Sequence, residues 1–378
     1  MAYVDKVRRG IHVRFRARWV EPSGRQRAKS FDTRREAKEY AAEMERSMKL
    51  GSYVDPSLGK VLVKDFAEQW LADRDVRPST AARDASYFRS MILPHFGDMP
   101  IGGVRPAEVN AWKIKLLSSH APATVGKALM LLKKMMGDAP LPSNPIAKVK
   151  LPKVEREEMR CLDPAQITML ADAIHPRYKS LVLVGAYGGL RIGEMAGLQR
   201  QDIDFLRGII SVERQVVEIA GKLTIGPLKT KAAKRQVQVP RFVVDELAHH
   251  LGAGPTVGLV FPAPEGGLLS RTKFRQRFWV PAIMLCGLEG LRIHDLRHTA
   301  VSLWIVAGFA PNEVAAQAGH TSVRTVFDVY GHLLPGNLDA KMQRLEAMAQ
   351  SGTGTGWYWT LPSRLVAPSE TAARSWWA

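Results

Sequence analysis

The sequence predicts an α+β multidomain protein: a small sheet-plus-helix N-terminal module, an all-helical domain behind it, and a larger, mainly helical domain with a small antiparallel sheet. Three observations carry that reading. Residues 11–19 alternate strictly between apolar and polar types, residues 63–138 form a train of helical patterns cut by Pro and Gly, and the helical pattern from Asp163 onward is interrupted between Ile209 and Val239 by β-rich runs. At roughly 100–200 residues per domain, 378 residues suit two or three such units.

In the first module, Ile11, Val13, Phe15, Ala17 and Trp19 share one face of a strand, and His12, Arg14, Arg16 and Arg18 share the other. Glu21-Pro22-Ser23-Gly24 makes a turn, a second strand runs through Phe31, and Thr33 with Glu36 has the spacing of a helix-capping pair. The helix stops near Gly51, so the module spans residues 1–55. Tyr53 to Gly59, rich in turn formers, reads as a linker. Helical patterns follow at 63–74, 79–92, 106–118 and 122–138, giving an all-helical unit over 60–150. Prolines 140, 142, 145 and 152 and the charged 148–160 segment form a second linker, and the third unit covers 160–350. Residues 351–378, with SGTGTG followed by scattered Trp, read as a flexible tail.

Composition narrows the function classes. Hydrophobic residues make up 46% of the chain, enough for real cores. Lys and Arg number 54 against 36 Asp and Glu, and a net charge of +18 favours a polyanionic partner, nucleic acid before membrane. The two cysteines, Cys161 and Cys286, supply neither a disulfide scaffold nor a zinc set, which fits a reducing cytoplasm. No apolar run approaches the roughly 18 residues that span a bilayer, and no signal-peptide core stands at the start.

Four separated segments carry the chemistry: Gly189-Leu190-Arg191-Ile192-Gly193-Glu194, Leu228-Lys229-Thr230-Lys231, His294-Asp295-Leu296-Arg297-His298, and Ala318-Gly319-His320 followed by Val329-Tyr330-Gly331-His332. In this order and spacing they resemble the active-site motifs of the tyrosine recombinase, or phage integrase, family. The resemblance implies catalytic roles for Arg191, Lys229, His294, Arg297, His320 and Tyr330, with Glu194 supporting Arg191. By layout it also implies an arm-type DNA-binding module at 1–55, with Arg14, Arg16 and Arg18 as its contacts. A helical, SAM-like core-binding domain at 60–150 and a catalytic domain at 160–350 would follow. Two positions depart from the usual pattern, Ala233 where many relatives have Ser and Ala318 where Leu is common, and neither touches the chemistry.

The chemistry itself asks for such a set. Transesterification of a DNA phosphodiester puts added negative charge on a pentavalent phosphorus, and two guanidinium forks, Arg191 and Arg297, can hold its non-bridging oxygens. Arg191 has a second reading as a structural partner of Glu194, three residues on, and both can hold. The Tyr330 phenol, ordinarily with a pKa near 10, needs a base or a cationic field to attack at neutral pH, which the arginines and His294 would supply. Lys229, in a basic turn between the β-rich runs, is the candidate acid for the leaving 5′-oxygen, with Lys231 and Lys234 as rivals. His294 and His298, four apart, superficially echo a zinc-protease helix, but Asp replaces the required Glu and no third ligand set stands nearby. His298 is read as a packing or hydrogen-bonding residue, and Gly319 as a place where backbone passes close to DNA.

Taken together these readings predict site-specific DNA recombination through a 3′-phosphotyrosine, with no metal, ATP or other cofactor, and with no phosphate-cradling glycine loop in sight. The family implies a homotetramer on double-stranded attachment sites of core type and arm type, with host DNA-bending and directionality factors as further partners, and no membrane. A type IB topoisomerase shares the phosphotyrosine chemistry and is the nearest rival. A DNA-binding protein without activity is the other, and the filled catalytic set argues against it.

Overall fold

A computed structural model describes residues 2–9, 12–22, 24–50, 53, 55, 58–154, 159–252 and 258–333, with 342, 343, 345–347 and 349. The tail read at 351–378 lies outside the described residues. Three strands, β1 (Tyr3–Arg9), β2 (His12–Val20) and β3 (Gln26–Phe31), form one antiparallel sheet in that order, and α1 (Arg34–Lys49) covers one face. The sequence pattern gave no signal for β1, whose Asp5, Lys6, Arg8 and Arg9 break a clean alternation. Thr33 caps α1 as expected, its hydroxyl accepting the Glu36 N–H at 3.3 Å.

The core of this module is small: Ala17, Ala37 and Ala41 are buried, with Phe15, Phe31 and Tyr40 packed around them. Such a core alone is marginal, and a polar network reinforces it. Trp19 Nε1 donates to Tyr53 Oη at 2.8 Å, Tyr53 donates to Glu21 at 3.1 Å, and Arg27 Nε donates to Glu21 at 2.6 Å while its far nitrogen pairs with Asp55. The segment read as a linker is therefore bonded back to the sheet at Tyr53 and Asp55.

The second unit is all helical, with α2 (Val63–Ala72), α3 (Pro78–Tyr87), a wider helical turn at Phe88–Ile92, α4 (Leu93–Phe96), α5 (Pro106–Leu117) and α6 (Pro122–Asp138). Pro stands in the first turn of α3, α5 and α6, where its missing N–H has no intrahelical partner to lose. The core is one cluster around Phe88, Phe96, Trp112, Leu129, Leu132 and Met135. The Trp112 indole donates to the Met91 carbonyl at 3.0 Å, so its buried N–H is satisfied.

The third unit opens with α7 (Pro164–Ala173), whose start is fixed by reciprocal bonds between Asp163 and Gln166. Then come α8 (Lys179–Gly188), α9 (Ile192–Ala196), β4 (Ile203–Asp204), β5 (Ile209–Val212), β6 (Arg214–Ile219), β7 (Lys222–Pro227) and β8 (Arg235–Gln238). The expected small sheet is two: β4-β5-β8, and the β6-β7 hairpin, both antiparallel. Helices α10 (Arg241–Gly252), α11 (Arg271–Phe274), α12 (Val280–Leu285), α13 (Asp295–Val306), α14 (Pro311–Ala318) and α15 (Arg324–Tyr330) complete it. The apolar α8 packs along α13, so the two segments that carry Arg191 and Arg297 are held back to back. Among the described residues no helix is long and apolar enough to cross a membrane.

Candidate active site

Arg191 owes its position to two turns of backbone. α8 ends at Gly189, whose φ of +64° is a left-handed conformation that suits glycine, and a Cβ there would stand 2.7 Å from the Trp304 ring. Arg191 follows as the residue that starts α9. Its N–H donates to Glu194 Oε2 at 3.0 Å and its guanidinium to Oε1 at 2.7 Å, so Glu194 fixes both ends of the arginine. The reading of Arg191 as a structural partner of Glu194 holds, and its side chain remains 36% exposed beyond that bridge.

Glu194 also accepts from Arg235 at 3.1 Å, and Arg235 is almost wholly buried. Arg235 spends its other donors on the carbonyls of Gln317, at 2.7 Å, and Ala233, at 3.1 Å. Burial pushes the Glu194 carboxyl up, but the Arg235 charge, the Arg191 N–H and the Arg191 charge together hold it below the usual carboxylate range. Burial pulls Arg235 down, opposed by Glu194. Arg235 is the structural residue that sequence reasoning passed over, because it lies outside the four motif segments.

Gly319 ends α14 with φ +64°, and a Cβ on it would meet Arg235 Cδ at 2.9 Å and the Ala232 carbonyl at 3.0 Å. The space that Gly319 leaves free is taken up by the protein's own Arg235 side chain and Ala232 carbonyl. His320, next in the chain, is pulled down to about 4 by burial and then by the positive charges of Arg297, Arg191 and Arg235, so its imidazole is neutral at pH 7. Its Nδ1 is buried without a hydrogen-bond partner, an arrangement that costs roughly 1–3 kcal/mol.

Arg191, Glu194, Lys229 and His320 line one cleft of about 220 Å³, together with Gln215, Thr230 and Thr321. Of the three rival lysines only Lys229 lines it; Lys234 pairs with Glu213 at 2.7 Å. Arg77, at the start of α3, donates to the Lys229 carbonyl and so ties the basic turn to the helical unit.

The remaining expected residues sit on α13 and α15. Asp295 is buried and accepts the Arg292 N–H at 2.7 Å as well as the Arg292 guanidinium, which pins the start of α13. Arg297 is only 3% exposed; it donates to the Gly189 carbonyl at 2.7 Å and to the Ala318 carbonyl, linking the Arg191 and His320 segments. Burial, reinforced by Arg191 and Arg235, lowers its pKa to about 9, so it stays charged at pH 7. The His294 ring is exposed, yet partial desolvation and the charges of His298, Arg297 and Arg191 still press it toward the neutral form.

Tyr330 does not line the cleft. Its ring is buried, 3% exposed, in a cluster with Trp304, Ile305, Val314 and Val326. Burial raises its pKa to about 12, with the Arg297 charge opposing. Its hydroxyl meets His298 Nδ1 at 2.6 Å, and the His298 ring in turn stands edge-on to His294 with centroids 5.0 Å apart. The structure therefore brings Arg191, Lys229 and His320 to one cleft, joins Arg297 to that cleft through backbone, and puts His298, not His294, on the tyrosine oxygen.

Arg14 and Arg18 lie on the sheet face away from α1, but each meets a carboxylate: Arg14 with Asp32 at 3.1 Å and Arg18 with Asp5 at 2.9 Å. Among the described residues Arg16, between them, makes no ion pair.

Comparisons with known proteins bear on the family and the fold. The model of the phage integrase family matches residues 160–336, and that of the phage integrase N-terminal SAM-like domain matches 62–117. An integrase of Mycobacterium phage D29 is 27% identical over 333 residues, covering 82% of this chain and 88% of the relative. The solved Tn1549 transposon integrase in complex with transposon right end DNA superposes with a TM-score of 0.61 at 19% identity, covering 75% of this chain and 98% of that one. A lambda integrase dimer bound to a core site gives a TM-score of 0.55 at 15% identity over 86% of this chain and 93% of that one. The matches favour the recombinase over the topoisomerase reading. With both family models in chain order and the arginine, lysine, histidine and tyrosine motifs inside the matched range, this chain belongs to the phage integrase family of tyrosine site-specific recombinases.

Proposed function

We propose that this protein cuts and rejoins DNA through a phosphotyrosine at Tyr330 to integrate or excise a mobile element. The observation that carries the reading is the cleft lined by Arg191, Lys229 and His320, with Arg297 bonded to the backbone on both sides of it. A phosphodiester seated there has the Arg191 guanidinium and the His320 imidazole for its non-bridging oxygens, and Lys229 for the leaving 5′-oxygen. Tyr330 attacks phosphorus, the 3′ side of the DNA remains on the enzyme, and the freed 5′-hydroxyl of a partner duplex reverses the step. The phosphodiester bond energy is retained, so the scheme calls on no metal or ATP.

The surrounding assignments belong to the same proposal. Residues 1–55 grip arm-type sites through the Arg14, Arg16 and Arg18 face, 60–150 wrap the core site, and 160–350 carry catalysis. Four copies act together on paired core sites in the cytoplasm, with host bending and directionality factors as further partners. Related integrases have been solved on DNA and, for lambda integrase, as a tetramer on a Holliday junction, which supports the DNA and tetramer assignments.

The test is a nicked attachment-site duplex whose short product strand diffuses away after cleavage. A denaturation-resistant adduct should form, and peptide mapping should put it on Tyr330. Tyr330→Phe should bind the same DNA and form none; an adduct persisting in Tyr330→Phe would sink the assignment.

A further inference from the structure

Tyr330 enters the reaction as a neutral phenol. Its buried oxygen keeps its proton, with a pKa pushed up to about 12, so attack at neutral pH requires an acceptor within hydrogen-bond reach. Sequence reasoning looked to the arginines and His294. Arg297 is positive and already donating to two carbonyls, and the exposed His294 ring packs against the His298 ring. The nitrogen in contact is His298 Nδ1, 2.6 Å from Tyr330 Oη.

We infer that His298 is a catalytic residue, the general base that takes the Tyr330 proton as the tyrosine oxygen attacks phosphorus. This rests on the recombination reading above. The step balances: the phenol O–H donates its proton to His298 Nδ1, Oη forms a bond to phosphorus, the phosphorus–5′-oxygen bond breaks, and the departing oxygen takes a proton from Lys229. On religation the same imidazolium returns the proton to the phenol. Each round ends with His298 neutral, and no outside reactant is consumed.

The surroundings of His298 suit the part. It projects from α13 one residue after Arg297, so the same helical turn delivers the buried Arg297 charge and a tyrosine-facing imidazole. Burial lowers its pKa, Asp295 opposes this, and Arg292 and Arg297 add to the lowering; the ring is therefore neutral and able to accept at pH 7. The other titratable neighbours are Tyr330 from α15, His294 from its own turn, and His320, whose own proton affinity His298 reduces. Asp295, buried and bridged by Arg292, fixes the helix start from which His298 projects.

The test separates a base from a prop. Single-turnover adduct formation on the nicked duplex is measured for the full-length parent, His298→Gln, and both backgrounds carrying a ring-fluorinated tyrosine at 330, whose phenol is more acidic. His298→Gln is expected to slow adduct formation by about 100 to 10,000-fold, the range for general acid–base catalysis, while DNA affinity and the urea midpoint stay near the parent's. The acidic phenol should close most of that gap, because it needs less help to lose its proton, and added imidazole should accelerate His298→Ala. A rate for His298→Gln within about threefold of the parent's, well short of a general-base effect, or above it, overturns the inference. So does a loss that the acidic phenol leaves untouched, since that marks a positioning role. If the parent itself forms no Tyr330 adduct, the recombination reading fails; a parental adduct with an unaffected His298→Gln rejects only the base.

Discussion

Arg235 runs beneath Gly319, so near that a Cβ on the glycine would stand 2.9 Å from Arg235 Cδ. The bond from Arg235 to the Gln317 carbonyl and the bond from Arg297 to the Ala318 carbonyl grip the same stretch of chain, and His320 follows directly. Gly319→Ala therefore strains a left-handed backbone and displaces a buried arginine at once. The expected outcome is a stability loss of about 1–3 kcal/mol in urea denaturation, with adduct formation falling further than stability accounts for, because His320 moves. A variant that unfolds like the parent and cleaves like it would show that the neighbours yield without cost.

Glu194 holds two arginines, one facing the cleft and one buried beneath it. Glu194→Gln keeps the shape but leaves Arg235 buried without its counter-charge, and a loss on the order of 3 kcal/mol follows. The pH dependence has a definite sign. Because the folded carboxyl titrates below its ordinary value, its stabilisation is present above the unfolded value and is lost as pH falls through the folded one. Urea denaturation across pH 7 to 3.5 should show the gap between the parent and Glu194→Gln narrowing at the acid end. Parallel curves would contradict the pairing.

His320 also loses stability as pH falls, but over a different window and because burial favours its neutral form. Its folded pKa of about 4 lies below the ordinary histidine value of 6.5, so the unfolded chain takes up the proton first as pH falls. Stability thus declines between about pH 6.5 and pH 4, by up to about 2 kcal/mol from pH 7 to pH 5 for this one group. His320→Gln should lose less over that interval. In DNA-bound protein the phosphate charge should raise the His320 pKa, readable by NMR of labelled histidine, and an unmoved titration on cleavage-site DNA would place the phosphate elsewhere.

Much of this was legible in the chain because helix ends and active-site motifs announce themselves locally. Thr33 and Glu36, the first-turn prolines of α3, α5 and α6, and the Arg191–Glu194 spacing each act within one turn of backbone. What stayed hidden depends on distance in sequence. Arg235 meets Glu194 across 41 positions, and His298 meets Tyr330 across 32, so no periodicity links them. β1 was missed for a different reason: its Lys and Arg positions break the alternation, and only pairing with β2, Asp5 opposite Arg16, makes it a strand.

The sheet face of the first module ranks its arginines. Asp32 and Asp5 engage Arg14 and Arg18 and would compete with any phosphate for them, whereas Arg16 has no such rival among the described residues. Arg16→Ala should therefore weaken arm-site binding more than Arg14→Ala does, and should lower the slope of log affinity against log salt by about one if the contact is a phosphate. Core-site cleavage should persist. Equal losses from all three variants would mean that DNA breaks the ion pairs at no cost.

Lys229 is the cleft lysine, and its proposed task is to protonate the leaving 5′-oxygen, an alkoxide too basic to depart alone. Lys229→Ala should cleave ordinary DNA about 100 to 10,000-fold more slowly. Replacing the bridging 5′-oxygen by sulfur removes the need for the proton, since a thiolate leaves unaided, and the variant should then match the parent. Arg191→Ala should gain no such rescue, because its partner is the non-bridging charge. Lys234→Ala, which loses an ion pair with Glu213 instead of a cleft contact, controls for positive charge in the turn. Lys231 begins the short helical turn two residues on and is exposed outside the cleft. Selective sulfur rescue of Lys231→Ala, with none for Lys229→Ala, would move the acid to Lys231 and require the turn to shift by two residues when DNA binds.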